Sequence, residues 1–264
     1  AHNEIIDKDE PLGTIGTTRA ETGHPVGQIF GYVHDRLFTE DDFKDVENGV
    51  LKDGVPKQTF TAKVRPGDIK YVDLDKNGFI DTYDQMAIGG TENPEIVYGF
   101  GVNLRWKELD FGAMFQGIGR TWRILSSNIM PASNKGSMYN IFDNYQDRWT
   151  VDNQSQDVFY PRADYGPNAN NSQKSTWWLR NMSFLRLKNL ELGYSCPKKW
   201  LQGFVISNAR VFVRGTNLLT FSKFNLWDPE LATGDGAKYP AMKSVSVGCL
   251  LYTSDAADDL TRVD

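Results

Sequence analysis

The 264-residue sequence contains no run of about 18 apolar residues, so it offers no transmembrane helix. Its mean hydropathy of −0.48 leaves a membrane barrel open, because alternating strands barely register on hydropathy scales. Histidine is scarce: His2, His24 and His34 are the whole set, and none has the spacing of a metal pair. Two cysteines, Cys196 and Cys249, are too few for a disulfide framework. No G-x-S-x-G, P-loop or G-x-G-x-x-G motif occurs, since Gly99-Phe100-Gly101 falls inside a strand pattern. Carboxylates are plentiful, yet nothing singles out an acid and a base, so no enzyme is expected. A net charge of −5 argues against nucleic acid as a partner. The opening Ala1-His2-Asn3-Glu4 lacks the basic and apolar regions of a signal peptide. An outer-membrane protein with this sequence is therefore expected to be a piece of a longer chain.

What is present points to β-structure. In Ile96–Trp106, IVYGFGVNLRW, every even position is apolar, whereas the odd positions carry Val97, Gly99, Gly101, Asn103 and Arg105. Period two over this length predicts an extended strand with one apolar face. Lys107-Glu108 separates it from Leu109–Ile118, where the odd positions are apolar. A two-residue turn sets Trp106 opposite Leu109, Leu104 opposite Phe111 and Phe100 opposite Phe115, with Arg105 facing Asp110 on the other side. Parity and turn agree, which specifies a hairpin. Both strands have the length of about 9–11 residues that a membrane barrel needs. A soluble β-sandwich would use the same apolar face against a second sheet.

Further strands are expected at Ser183–Tyr194, Asn208–Asn217 and from Met242 onward. Apolar parity slips between Leu187 and Leu190, which predicts a β-bulge near Lys188-Asn189. Connections alternate in length: 1–95 long, 107–108 tight, 119–182 long, 195–207 short, 218–241 intermediate. Outer-membrane barrels alternate short periplasmic turns with long extracellular loops. The favoured fold class is therefore all-β: part of a transmembrane antiparallel β-barrel, about five strands with long extracellular loops. The long segments carry Phe30, Tyr32, Phe38, Tyr139, Phe142, Tyr145, Trp149, Phe159, Tyr160, Trp177 and Trp178, too many aromatics for disorder. Such rings either stack on sugars or peptides at a barrel mouth or pack against one another to hold the loops.

One motif carries chemistry. Asp73, Asp75, Asn77, Phe79, Asp81 and Asp84 fall at positions 1, 3, 5, 7, 9 and 12 of a Ca²⁺-loop spacing, with Gly78 at the sharp turn. Ca²⁺ takes six to eight oxygens, and this spacing wraps a chain around one ion, position 7 offering its backbone carbonyl. Position 12 is Asp rather than Glu, which weakens bidentate closure, and no amphipathic helix precedes the loop. A structural Ca²⁺ is expected, not a paired EF-hand switch.

Beyond periodicity, Pro66-Gly-Asp-Ile-Lys-Tyr71, the Asp73–Asp84 loop, Ile88-Gly89 and Asn93-Pro94 lead into YGFGVNL. This succession resembles the SusC/RagA family of TonB-dependent outer-membrane transporters. FGAMFQG, Arg148-Trp149-Thr150, SFLRLKNLELGY with Pro197-Lys-Lys-Trp200, and VFVRGTNLLTFSKFNLWDPE carry the same resemblance. So does Gly23-His-Pro25-Val-Gly27 with Phe30-Gly31-Tyr32; the collinear blocks cover about residues 20–248.

The resemblance implies a barrel of about 22 strands with an N-terminal plug, located in the outer membrane of a Gram-negative bacterium. It implies a SusD-like surface lipoprotein as lid, TonB as energy source through an N-terminal region absent here, and import of oligosaccharides or peptides. Residues 1–95, with the Ca²⁺ loop at 73–84, would be extracellular, where a site of roughly 10⁻⁴–10⁻³ M affinity would fill. Residues 96–248 would be C-terminal barrel strands with a large loop at 119–182. Arg105 and Arg214, on the inner face, are expected to balance Asp and Glu across the lumen rather than contact cargo. Residues 249–264, CLLYTSDAADDLTRVD, depart from the family's aromatic terminus and resemble a translated sequencing adapter, although Cys249 and Leu251 keep strand parity. The alternative function is a secreted, calcium-stabilised β-sandwich glycan-binding module.

Overall fold

The computed structural model describes residues 4–5, 8–10, 14–126, 142–164, 166, 168–203 and 205–253. Tyr139 and the terminal run from Ser254 lie outside these residues. The described chain forms two units. A sheet unit comprises Ile96–Gly119, Ser183–Leu231 and the chain from Tyr239, and a loop unit comprises the chain up to Glu95, Arg120–Met182 and Ala232–Lys238.

The sheet unit is built on five strands: β1 (Ile96–Trp106), β2 (Leu109–Gly119), β3 (Phe184–Ser195), β4 (Ile206–Ser222) and β5 (Ser244–Thr253). They lie in sequential order β5-β4-β3-β2-β1, every pair antiparallel. The hairpin register is the one that parity and turn length demand: Trp106 pairs with Leu109, Arg105 with Asp110 and Phe100 with Phe115. Lys107 takes φ 55°, as the first central residue of a primed hairpin turn requires. The rings of Phe100 and Phe115 stack at 5.1 Å. Opposite Tyr98 stands Gly117, where a Cβ would collide with the tyrosine ring. An aromatic laid over a cross-strand glycine pins register. The β2–β3 and β3–β4 registers both shift around Lys188, the bulge that the parity slip announced.

β4 runs 17 residues, longer at both ends than its alternating pattern. Ladder bonds to β3 and β5 carry it past the point where side-chain alternation fades. β5 keeps its register through Cys249 and Leu251, paired with Val211 and Ala209. The long connections all leave the sheet at the end where Ile96 pairs with Gly119; the tight turn and the short 196–205 link close the other end.

The loop unit has its own interior. Leu37, Phe38, Ile69, Tyr71, Ile80, Leu125, Trp178 and Met182 are each buried. Its rings pack on one another: Tyr32 against Phe60 and Tyr71, and Phe159 against Tyr160 and Trp178. Buried Asp68 is the polar hub, accepting from the Arg65 N–H at 2.8 Å and from the side chains of Asn168 at 3.0 Å, Asn171 at 2.9 Å and Arg162 at 3.2 Å. Burial pushes its carboxyl upward, and the Arg162 guanidinium and these donors oppose that. Tyr71 donates to the Asn170 carbonyl at 2.7 Å, and the Trp178 indole to that of Asn171 at 2.7 Å. Segments a hundred residues apart are thus joined by bonds that satisfy buried loop backbone.

Gly67 explains two sequence blocks at once. It sits at φ 86°, and a Cβ there would collide with the Trp149 ring. The Pro66-Gly67-Asp68 turn and Arg148-Trp149-Thr150 are therefore two halves of one contact.

Candidate functional site

The Asp-rich loop is a tight turn held by its own carboxylates. Asp73 accepts from the Asn77 N–H at 3.2 Å and the Gly78 N–H at 2.8 Å, while Asp75 accepts from Asn77 at 3.0 Å. Lys76 and Gly78 both take positive φ, 61° and 86°, giving the tight turn. Asp84 is fully buried and clamps the ends of the loop, accepting from Leu74 N–H at 2.7 Å and Asp81 N–H at 2.8 Å. Burial pushes its carboxyl upward against those two donors, and the Asp75 charge adds to the rise.

Carboxylate oxygens of Asp73, Asp75 and Asp84 lie within 4.8 Å of one another. Asn77 and Asp81 make hydrogen bonds within the loop. Asn77 accepts from the Phe79 N–H at 2.8 Å and donates its amide to Asp75 at 2.9 Å. Asp81 caps the Tyr83 N–H at 2.8 Å. Phe79 pairs its backbone with Lys57 in a short parallel bridge. Three of the six spaced residues thus converge, and their acceptor-only oxygens suit a hard cation.

The sheet unit carries a second constellation on one face. Asp110, Glu191, Arg210 and Arg214 share that face by register. Arg210 forks onto Asp110, with its Nε 3.0 Å from one oxygen and its Nη2 on the other, and also reaches Glu191 at 2.6 Å. Arg214 donates to the second Glu191 oxygen at 2.6 Å. To reach Asp110, Arg210 crosses strand β3 at Gly193, where a Cβ would collide with both partners. Both arginines flank the Phe212 ring, at 5.2 and 5.5 Å. Arg214 is thus paired with Glu191 on the same face. Arg105 stands across from Asp110 in the register, and its charge acts on that carboxylate.

Farther along the same face, buried Arg186 holds the segment after β4. It donates to Glu230 at 2.6 Å and pairs with Asp228, while Lys188 reaches Glu230 at 2.6 Å. These links were not visible in the sequence: period two assigns a face, but it does not tell which loop folds back onto it.

The opposite face is apolar and uncovered. Phe100 is 55% exposed, Leu104 59%, Trp106 68% and Val247 73%. A β-sandwich would bury these side chains against a second sheet; a barrel wall presents them to lipid.

No family model matches the chain. Curated relatives do. The chain is 32% identical to TonB-dependent receptor P26 of Formosa agariphila over 91% of its length, and 29% identical to receptor P3 of that organism over 79%. It is 24% identical to TonB-dependent receptor SusC of Bacteroides thetaiotaomicron over 75% of its length. The chain spans 24% of the first relative and 19% of each of the others. Among solved structures, the RagAB peptide transporter matches at 29% identity and TM-score 0.58, covering 88% of this chain and 23% of that one. The RagAB peptide importer in its closed-closed state matches at 27% identity and TM-score 0.59, covering 92% and 24%.

A five-stranded antiparallel meander, apolar on one face and charged on the other, with these neighbours, is a section of a transmembrane β-barrel of the TonB-dependent receptor type. More particularly, the chain belongs to the SusC/RagA family of those receptors.

Proposed function

We propose that this section forms wall, loops and partner surface of an outer-membrane importer. It would take up peptides or oligosaccharides with a SusD-like surface lipoprotein, on energy delivered through TonB. The observation that carries this reading is the exposed apolar face set against the arginine–carboxylate face. Turned outward, the first meets lipid; turned inward, the second lines an aqueous lumen. The long connections, residues 1–95 and 119–182, would then be extracellular. Similarity to the RagAB peptide importer favours peptides as cargo. The test is to delete the gene for the whole receptor and follow growth on defined peptides and glycans as sole nutrient. Loss of growth on one class, with a surface lipoprotein co-purifying with the tagged receptor, supports the reading; unchanged growth on both and no such lipoprotein contradict it.

The Asp73–Asp84 loop is proposed as a structural Ca²⁺ site of the extracellular region, ligated by Asp73, Asp75 and Asp84, with Asn77, the Phe79 carbonyl and Asp81 completing the spacing. An ion there would tie the two ends of the loop together and offset the repulsion among three carboxylates. The whole receptor is expected to melt at higher temperature with millimolar Ca²⁺ than with chelator, and the Asp73→Ala/Asp75→Ala variant to lose that difference. An unchanged calcium response in the double variant rules the site out.

A further inference from the structure

Beyond Ser222, where β4 ends, the chain turns back onto the charged face of its own sheet. The returning segment, residues 223–231, is a body with bonds of its own. The Phe224 and Trp227 rings meet edge to face at 4.9 Å, and Phe224 is buried. Asp228 accepts from the Glu230 N–H at 3.0 Å through its side chain and from the Leu231 N–H at 3.1 Å through its carbonyl, closing the short turn Pro229–Leu231. Each end has a pivot. At one, the Ser222 hydroxyl donates to the Ser183 carbonyl at 2.8 Å and accepts from the Phe224 N–H at 3.1 Å. At the other, Ala232 takes φ 49°, a left-handed backbone that a residue with a Cβ seldom adopts.

What ties this body to β3 is charge. Arg186, 2% exposed, reaches both Asp228 and Glu230, and Lys188 adds a second bond to Glu230. Two cations meet two carboxylates, so the pairing is complete only while the segment is seated. A buried guanidinium stripped of its partners is strongly unfavourable, which makes the tie depend on both sides at once. The seated state is also imperfect. Arg186 Nε and the Trp227 indole N–H are buried with no acceptor among the described residues, and each unmet donor weakens the contact. Internal bonds, a pivot at each end and a charged, incompletely satisfied contact are the parts of a hinged element.

We propose that residues 223–231 form a strap that opens from the inner wall as a unit, with Arg186 as its latch. Seated, the strap narrows the lumen near the sheet end from which the long connections leave; open, it widens the passage. The lumen rests on the reading of the charged face given above, whereas the latch rests on these contacts alone.

The test is hydrogen exchange of the whole receptor in detergent, followed by mass spectrometry. In wild type, amides of residues 224–231 are expected to exchange faster than those of β3 and β4, because the strap opens while the strands stay paired. Arg186→Met should speed exchange of 224–231 by about tenfold or more, as loss of a charge-assisted contact gives, and leave the strands unchanged. Arg186→Lys, which keeps the charge but cannot fork, should fall between. The Asp228→Asn/Glu230→Gln variant removes the other side of the tie and should match Arg186→Met; it decides the matter if Arg186→Met fails to assemble. A wild-type strap as slow as the strands, or variants with unchanged strap exchange, would overturn the proposal. So would β3 and β4 speeding up together with the strap, since Arg186 would then be a support of the wall. A sheet shown to be soluble would leave these results standing and remove only the lumen.

Discussion

The loop unit and the sheet unit follow opposite rules with the same amino acids. In the loop unit, Trp178, Phe38 and Tyr71 are buried and the polar atoms of Asp68, Asn170 and Asn171 are bonded among them. In the sheet unit, Phe100, Leu104 and Trp106 are exposed, and the charged residues pair on the other face. A chain folded for water throughout would not leave one whole face of its longest sheet bare. The contrast means that two solvents shaped one sequence: water around the loops, hydrocarbon against the strands.

The sharpest way to break this contrast is to remove one large ring from each unit. Trp178→Ala in the loop unit should cost about 3–5 kcal/mol of local stability, by opening a cavity in a packed interior. Limited proteolysis of the whole receptor should then cut within residues 142–182. Phe100→Ala should leave that proteolysis pattern unchanged, because Phe100 stacks on Phe115 at an exposed face. Cleavage appearing equally in both variants would mean the two regions share one core.

A smaller effect is expected from reversing polarity on the strand. Phe100→Arg should cost roughly 2–4 kcal/mol if the residue lies near the bilayer midplane, read as reduced folding yield in lipid vesicles. The same charge placed at Asn103 should be tolerated. Equal tolerance at both positions would argue that the apolar face meets water.

The smallest effect concerns acid. Burial alone would raise the Asp42 carboxyl, but the forked Arg36, the Thr39 N–H and Lys70 hold it well below the usual carboxylate range. A group whose folded pKa is depressed stabilises fully above its unfolded value of 3.8 and loses that contribution as pH falls toward the folded one. The loop unit should therefore loosen below about pH 4, and Asp42→Asn should flatten that pH dependence. Hydrogen exchange of residues 36–45 reads it; an identical acid profile in the variant would show that other carboxylates govern it.

Much of the sheet was legible in the sequence, because its side chains obey period two and a tight turn fixes register. The Phe100–Phe115 pairing follows from parity and the turn, and the bulge at Lys188 from the parity slip. The loop unit was not legible in this way. Its aromatics offered two uses, and only the fold shows Tyr32, Tyr160 and Trp178 packed on other rings. Its polar hub joins Asp68 to Asn168 and Asn171, a separation that no local pattern encodes. For the Asp-rich loop, spacing proposed six residues; the fold brings the carboxylates of Asp73, Asp75 and Asp84 together, while Asp81 caps Tyr83. On the charged face, parity set Arg105 across from Asp110. It could not show that Gly193 opens the way for Arg210 to fork onto that carboxylate.

The central claim is that the even-numbered residues of β1 face lipid and the odd-numbered ones face water. Spin labels placed singly from Tyr98 to Arg105 in the whole receptor, reconstituted in vesicles, test it directly. Collision with oxygen should peak at 98, 100, 102 and 104, and collision with a water-soluble nickel complex at 99, 101, 103 and 105. A nickel-accessible pattern at all eight positions, or even positions shielded from both reagents, would contradict the barrel wall and return the sheet to a soluble fold.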